Sequence, residues 1–229
     1  YTCFTVVTQC YMKKIKLAIF DLDNTILKVD SDYEMVNYLI QQNLVPEKYR
    51  IKNEQYFSTY EDGSIDINEF SRFSLKPFIN MNIDEIDAIV SNFYKEVLQP
   101  SIDKNILEII NNYISNETKI LLASATNSLI VSFVSRQLGF NHYISSEVIF
   151  KDNLCTGIIR APHALGEGKL ILTSKFLKKL DINLSETCFY SDSFNDLPLL
   201  NAVLIPIAVN PDKNLKIVAK EKNWQIINR

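Results

Sequence analysis

The run Ile19-Phe20-Asp21-Leu22-Asp23-Asn24-Thr25-Ile26-Leu27 decides the fold. The apolar segment Ile15 to Phe20 reads as a strand and runs straight into two aspartates one residue apart. Successive side chains of a strand point to opposite faces, so Asp21 and Asp23 are expected on one side. That gathers two carboxylates at a strand's carboxyl end, where open parallel sheets bind ligands. Like charges so close need compensation, a divalent metal for one and a proton for the other. Asp23-Asn24 also has the chemistry of a plain turn, and the downstream sequence weighs between the two.

The 229 residues are 47% hydrophobic and 22% charged, with net charge −3, which leaves room for one core and an insert. So slight an acidity gives no electrostatic footprint for nucleic acid or an anionic membrane, and the expected partner is a small molecule. Cys3, Cys10, Cys155 and Cys188 form no C-x-x-C pair and the two histidines are far apart. This argues against a zinc site or a disulfide framework and fits a reducing cytoplasm. No apolar run reaches membrane-spanning length. Residues 1–11 read as an extension ahead of a natural start at Met12-Lys13-Lys14, because the lysines follow the apolar stretch, opposite to a secretory signal.

Beyond Leu27 the period becomes helical. Tyr33, Val36, Leu39 and Ile40 share a face, as do Ile83, Ile86, Ile89 or Val90, Phe93 and Val97. Pro46 to Tyr60 and Asp66 to Phe78 read as two further helices separated by the turn Glu61-Asp62-Gly63-Ser64, their aromatics forming a small core. Another amphipathic helix carries Ile106, Ile109, Ile110 and Tyr113. It leads to a short strand, Ile120 to Ala123, and to Ser124-Ala125-Thr126-Asn127, good caps for a helix ending near Leu138. About ninety residues separate Leu27 from Ile120, where a strand-helix-strand unit takes roughly thirty. The surplus is read as a helical cap, residues 31–98, inserted into a core of residues 12–30 and 99–229.

A hairpin is expected around Asp152-Asn153, with Tyr143-Ile144 and Glu147 to Phe150 before it and Thr156 to Arg160 after. A helix opens at Gly166-Glu167-Gly168-Lys169 and runs to about Leu180, and the strand Thr187 to Tyr190 enters Ser191-Asp192-Ser193-Phe194-Asn195-Asp196. The last long strand, Leu204 to Val209, contains Pro206, which suits an edge or a strand end. Alternating strands and helices mean an α/β fold with a doubly wound parallel sheet. Its strand ends and the helix opening at Gly166 then offer Asp21 and Asp23, Ser124, Lys169, and Asp192 and Asp196 to one edge. A hydroxyl and a lysine suit phosphate, and carboxylates from two strands suit Mg²⁺.

The segments FDLDNT, LLASATN, GEGK and YSDSFNDLPLL, in that order, resemble the four motifs of the haloacid dehalogenase superfamily. The helical insert resembles its phosphoserine phosphatase-like branch. The resemblance implies a Mg²⁺-dependent phosphomonoesterase acting on a small phosphorylated metabolite. Asp21 is then the nucleophile that forms an aspartyl-phosphate, and Asp23 the acid and later the base. Ser124, Ala125 and Lys169 hold the phosphoryl oxygens. Asp192, Asp21 and the Asp23 carbonyl hold the metal, with Asp196 and Asn195 supporting it.

Phosphoserine phosphatases of the family carry a glutamate nine residues after the nucleophile, where this chain has Asp30. Their cap arginine falls here on Ser74, with Arg72 two residues away and facing differently on a helix. Asp30 is shorter but of the same charge, whereas the displaced arginine weakens phosphoserine and leaves amino-alcohol phosphates such as histidinol phosphate open. Asp30 is expected either to meet a cationic group of the substrate or to cap the helix beside Ser31. Transfer to an acceptor alcohol instead of water is the alternative chemistry, and a phospho-accepting signalling domain the alternative class.

Overall fold

Strand β1 (Leu17–Phe20) is buried along its whole length and lies inside a six-stranded sheet. The computed structural model describes residues 15–61 and 65–229; the expected extension 1–11, the start at Met12, and Asp62 to Ser64 of the expected turn lie outside them. After β1 come α1 (Ser31–Gln41), α2 (Tyr49–Glu61), α3 (Ile67–Leu75), α4 (Ile83–Phe93) and α5 (Lys104–Ser115), then β2 (Lys119–Asn127). The chain continues through α6 (Ser128–Gln137), β3 (Tyr143–Ser146), β4 (Val148–Lys151), β5 (Leu154–Ile159) and α7 (Glu167–Lys179). It finishes with β6 (Thr187–Ser191), α8 (Leu197–Ala202), β7 (Ile205–Val209), α9 (Lys213–Glu221) and β8 (Gln225–Ile227).

The sheet order is β3-β2-β1-β6-β7-β8 and every pairing is parallel. The alternation of β1 divides the core. Leu17 and Ile19 join Leu199, Leu200 and Leu215 of α8 and α9 on one face. Ala18 and Phe20 join Ile106 and Ile110 of α5 and Ile130 and Val134 of α6 on the other. Helices therefore cover both faces, each fully buried aliphatic or aromatic side chain contributing roughly 1.5–3 kcal/mol. Phe20 pairs with Leu122 on one side and Tyr190 on the other, so the residues after β1 and β6 and the last residues of β2 emerge level at one edge.

β4 and β5 form the antiparallel hairpin, with Asp152 and Asn153 both at positive φ. Pro206 lies in β7, which is an interior strand. Its pairing with β8 begins only at Ile207, so Pro206 stands at a strand end with β6 alone beside it, where a missing N–H is tolerated. Ile83, expected on the buried face of α4, is 45% exposed because it opens the helix, while Ile86, Val90 and Phe93 are fully buried. Among the aromatics of the inserted helices, Phe73 and Phe78 are core. Tyr56, Phe57 and Phe70 are only half-buried and line a cavity beside Asp23.

Candidate active site

A turn, rather than strand alternation, sets the two aspartates. β1 stops at Phe20, and Asp21 N–H extends the ladder to Tyr190 O at 2.9 Å. Leu22–Ile26 then closes a tight turn, Leu27 N–H reaching Leu22 O at 2.9 Å, with Asn24 at φ 52°. Asn tolerates that left-handed conformation better than most residues. Turn chemistry and carboxylate placement are thus one structure.

Asp23 is gripped at both oxygens. Ser31 N–H donates to Oδ1 at 2.7 Å, and Thr126 Oγ1 donates to Oδ2 at 2.5 Å. Ser124 Oγ, fully buried, lies 3.5 Å from the same Oδ2 and accepts from Thr126 N–H. β2 runs on to Asn127, so of the four expected caps it is Asn127 that caps α6, accepting from Leu129 N–H.

Lys169 is 2% exposed and its Nζ lies 2.9 Å from Asp21 Oδ1 and 2.7 Å from Asp196 Oδ1. Two glycines deliver it. Gly166, at φ +55°, turns the chain into α7, and a Cβ on Gly168 would stand 1.9 Å from His163 O. Asp196 also accepts from Ser191 Oγ at 2.7 Å, so it belongs to the lysine's surroundings. Asn195, in the same turn, is half-buried with its N–H on Ser193 Oγ. Asp192 accepts from Thr25 Oγ1 at 3.2 Å.

Asp30 caps α1, accepting from Tyr33 N–H at 2.8 Å, and its side chain also lines the cavity. Asp32 lines it too, its Oδ1 taking a 2.7 Å bond from Asn127 Nδ2 that ties α1 to the end of β2. Ser74 is buried with its hydroxyl on Ser71 O, and Arg72 is exposed in a separate groove with Lys48 and Lys52.

Carboxylates outnumber cations here, and the pKa values follow. Burial pushes Asp21 up to about 7 against the pull of Lys169. It likewise raises Asp23 against its hydrogen bonds, and lifts Asp192 well above the usual range with help from Asp21 and Asp196. Burial opposes the Lys169 charge, but Asp196 and Asp21 outweigh it and raise its pKa. An oxygen-only donor set in mutual repulsion fits a hard divalent cation. No three acidic, histidine or cysteine side chains converge into a cage among the described residues. Mg²⁺ asks for no such cage, since it binds through one or two carboxylates and keeps several waters.

Burial, then Asp23, push Asp32 up to about 7. A carboxyl whose pKa is higher folded than unfolded stabilises the fold in acid. That contribution is full below the unfolded value near 3.8 and is lost as pH rises through about 7. Asp32→Asn keeps an acceptor for Asn127 and escapes the loss. Its melting temperature relative to the parent should therefore climb by roughly 5–10 °C between pH 4.5 and pH 8. A difference independent of pH, measured by calorimetry, would show an ordinary carboxyl at this position.

Thr126, Asp32, Asn53 and Arg229 are additions from the structure. Thr126 stands two residues after Ser124 on a strand, a spacing that could have signalled a shared side. Arg229 carried no such signal. Its Nη2 donates to the carbonyl oxygens of Asn24, Thr25 and Leu27 and its Nε to Asp103, which clamps the aspartate-bearing turn from outside.

The chain is similar to known proteins in sequence and in fold. Residues 18–201 match the family model of haloacid dehalogenase-like hydrolases. A histidinol-phosphatase of Neisseria meningitidis serogroup C (strain 8013) is 35% identical over 217 residues, covering 93% of this chain and 98% of that protein. A protein of unknown function from Bordetella pertussis Tohama I superposes with a TM-score of 0.86 at 30% identity, over 93% of this chain and 98% of that one. A substrate-bound phosphoserine phosphatase shares the fold, with a TM-score of 0.67 at 18% identity over 93% and 92% of the two chains. The chain belongs to the haloacid dehalogenase-like hydrolase family, among its phosphatases.

Proposed function

We propose that this phosphatase hydrolyses a small amino-alcohol phosphate, histidinol phosphate foremost, through an aspartyl-phosphate on Asp21 with Mg²⁺ as cofactor. The observation that carries the proposal is one edge of the sheet. There Asp21, ion-paired to buried Lys169, stands beside a doubly held Asp23 that opens onto an acidic cavity. The 35% identical histidinol-phosphatase supports the substrate.

Asp21 attacks phosphorus, forming its P–O bond as the ester P–O bond breaks, and the departing alkoxide takes a proton from Asp23. Burial favours that proton on Asp23 beforehand. Asp23, now a carboxylate, then accepts a proton from the water that attacks the aspartyl-phosphate, releasing phosphate and restoring Asp21. Lys169, Ser124 and Ala125 hold the phosphoryl oxygens, while Asp196 keeps the ammonium aimed at them. Asp21, Asp192 and the Asp23 carbonyl, with Asn195 nearby, would hold Mg²⁺, which when bound would supply charge that offsets repulsion between Asp21 and an anionic phosphate. The helices of residues 31–98 act as a cap that keeps bulk water from the acyl phosphate.

Phosphate release from histidinol phosphate, phosphoethanolamine and phosphoserine, with Mg²⁺ and with chelator, tests this. Turnover should be highest for histidinol phosphate, vanish in chelator and return with added Mg²⁺. Undiminished turnover in chelator would sink the metal mechanism.

A further inference from the structure

The cavity beside Asp23 holds carboxylates and no cation. Apart from Asp23 and Thr126 at its catalytic end, its polar side chains are Asp30, Asp32, Asn53 and the phenols of Tyr33 and Tyr56, and no Lys, Arg or His is among the described residues lining it. Asn53 is 1% exposed. Its Nδ2 donates to Tyr33 O at 3.0 Å, and since a carbonyl can only accept, that bond settles which way the amide points. Among the described residues no donor reaches the buried Asn53 Oδ1, an arrangement that is costly unless a ligand supplies one. Asp30 uses its Oδ1 on Tyr33 N–H, and no described residue donates to its Oδ2, whereas Asp32 is already held by the Asn127 side chain and backbone and by Thr126, so any ligand bond there uses its remaining lone pairs. Aromatic rings flank these acceptors, Tyr33 against Phe57 at 4.6 Å and Tyr56 against Phe70 at 5.6 Å.

We infer that this cavity is a recognition subsite for a protonated, N–H-rich group on the substrate's leaving alcohol, with Asn53 Oδ1 accepting from it alongside Asp30 and Asp32. This deepens the phosphomonoesterase proposal and rests on it. Because Asp23 lies at one end, the group that receives its proton lies in the cavity, and the cation rides on that same alcohol. A flat or methylene-bearing cation fits aromatic walls, which attract positive charge. A carboxylate does not fit, since Arg72 and its neighbouring lysines line a different groove. The subsite therefore selects amines and imidazoles over α-amino acids.

The test compares the parent with Asn53→Leu, which removes the acceptor, and Asn53→Asp, which keeps an acceptor oxygen while, like Asn53→Leu, giving up the bond to Tyr33 O and so controls for that loss. The ratio of kcat/KM for histidinol phosphate to that for p-nitrophenyl phosphate should fall about tenfold in Asn53→Leu, through KM, and recover in Asn53→Asp. If Asn53→Leu does not fold, Asp32→Asn reads the same ratio. Calorimetric titration of free histidinol and of histidine needs no turnover, and histidinol should bind more tightly to the parent than to the variants and more tightly than histidine. An unchanged ratio, or a parent that does not distinguish histidinol from histidine, overturns the subsite and leaves the phosphatase intact. Asn53-dependent histidinol binding in a protein that cleaves neither ester overturns the catalytic proposal and retains the subsite.

Discussion

An Asp21→Asn variant is expected to release no phosphate above background, a loss on the order of 10⁴-fold or more, as for other covalent nucleophiles. The carboxamide nitrogen is no nucleophile, yet the side chain keeps its volume and an oxygen for Lys169 Nζ, now 2.9 Å from Asp21 Oδ1. Lys169 also retains Asp196, so its charge is not stranded. The fold should therefore survive, and circular dichroism should match the parent. Acid quenching during turnover gives the sharper reading. The parent should carry phosphate bound to protein in a base-labile acyl linkage, and the variant none. Equal labelling in the two would place the nucleophile elsewhere.

The second large effect separates Asp23 from Asp21. Asn at position 23 can still accept from Ser31 N–H and can turn its amide toward Thr126 Oγ1, so the turn should hold. What it lacks is a proton to give. For an alkyl ester with a poor leaving group the loss should reach about 10² to 10⁴ in kcat, the scale of general acid catalysis. p-Nitrophenyl phosphate needs no protonation to depart, so rapid mixing should show a burst of one equivalent of nitrophenol. Slow turnover should follow, because Asp23 is also missing as the base for water. Absence of the burst, with both esters slowed alike from the first turnover, would remove the acid role.

The core was legible because its signals are local. Helix faces such as Ile106, Ile110 and Tyr113 and the buried run Leu17 to Phe20 are set by periodicity within a few residues, and these residues are buried as expected. The left-handed Asn24, the Asp152-Asn153 hairpin and the glycines before Lys169 are turn chemistry, which a short window also encodes. Strand alternation nonetheless misattributed the alignment of Asp21 and Asp23, because the strand ends at Phe20, before either aspartate. The same short windows named the motif residues and, through the long gap before Ile120, the helices that lie between β1 and β2.

Sequence by itself determined which residue types stand at the strand ends and in what order, and so the α/β class and the chemistry available. Only the tertiary structure decided which of them meet. Lys169 reaches Asp21 across 148 positions, Thr126 reaches Asp23 across 103, and Arg229 reaches Asn24 across 205. The donorless oxygen of Asn53 belongs to this second kind of fact. An exposed asparagine on α2 and a buried one read alike in sequence. The difference is made by the fold burying Asn53, with Tyr33 O taking one end of the amide and no described donor meeting the other. Periodicity and turn preference act over neighbours along the chain, whereas charge pairing and desolvation act over neighbours in space, and the chain acquires those only when the sheet has formed.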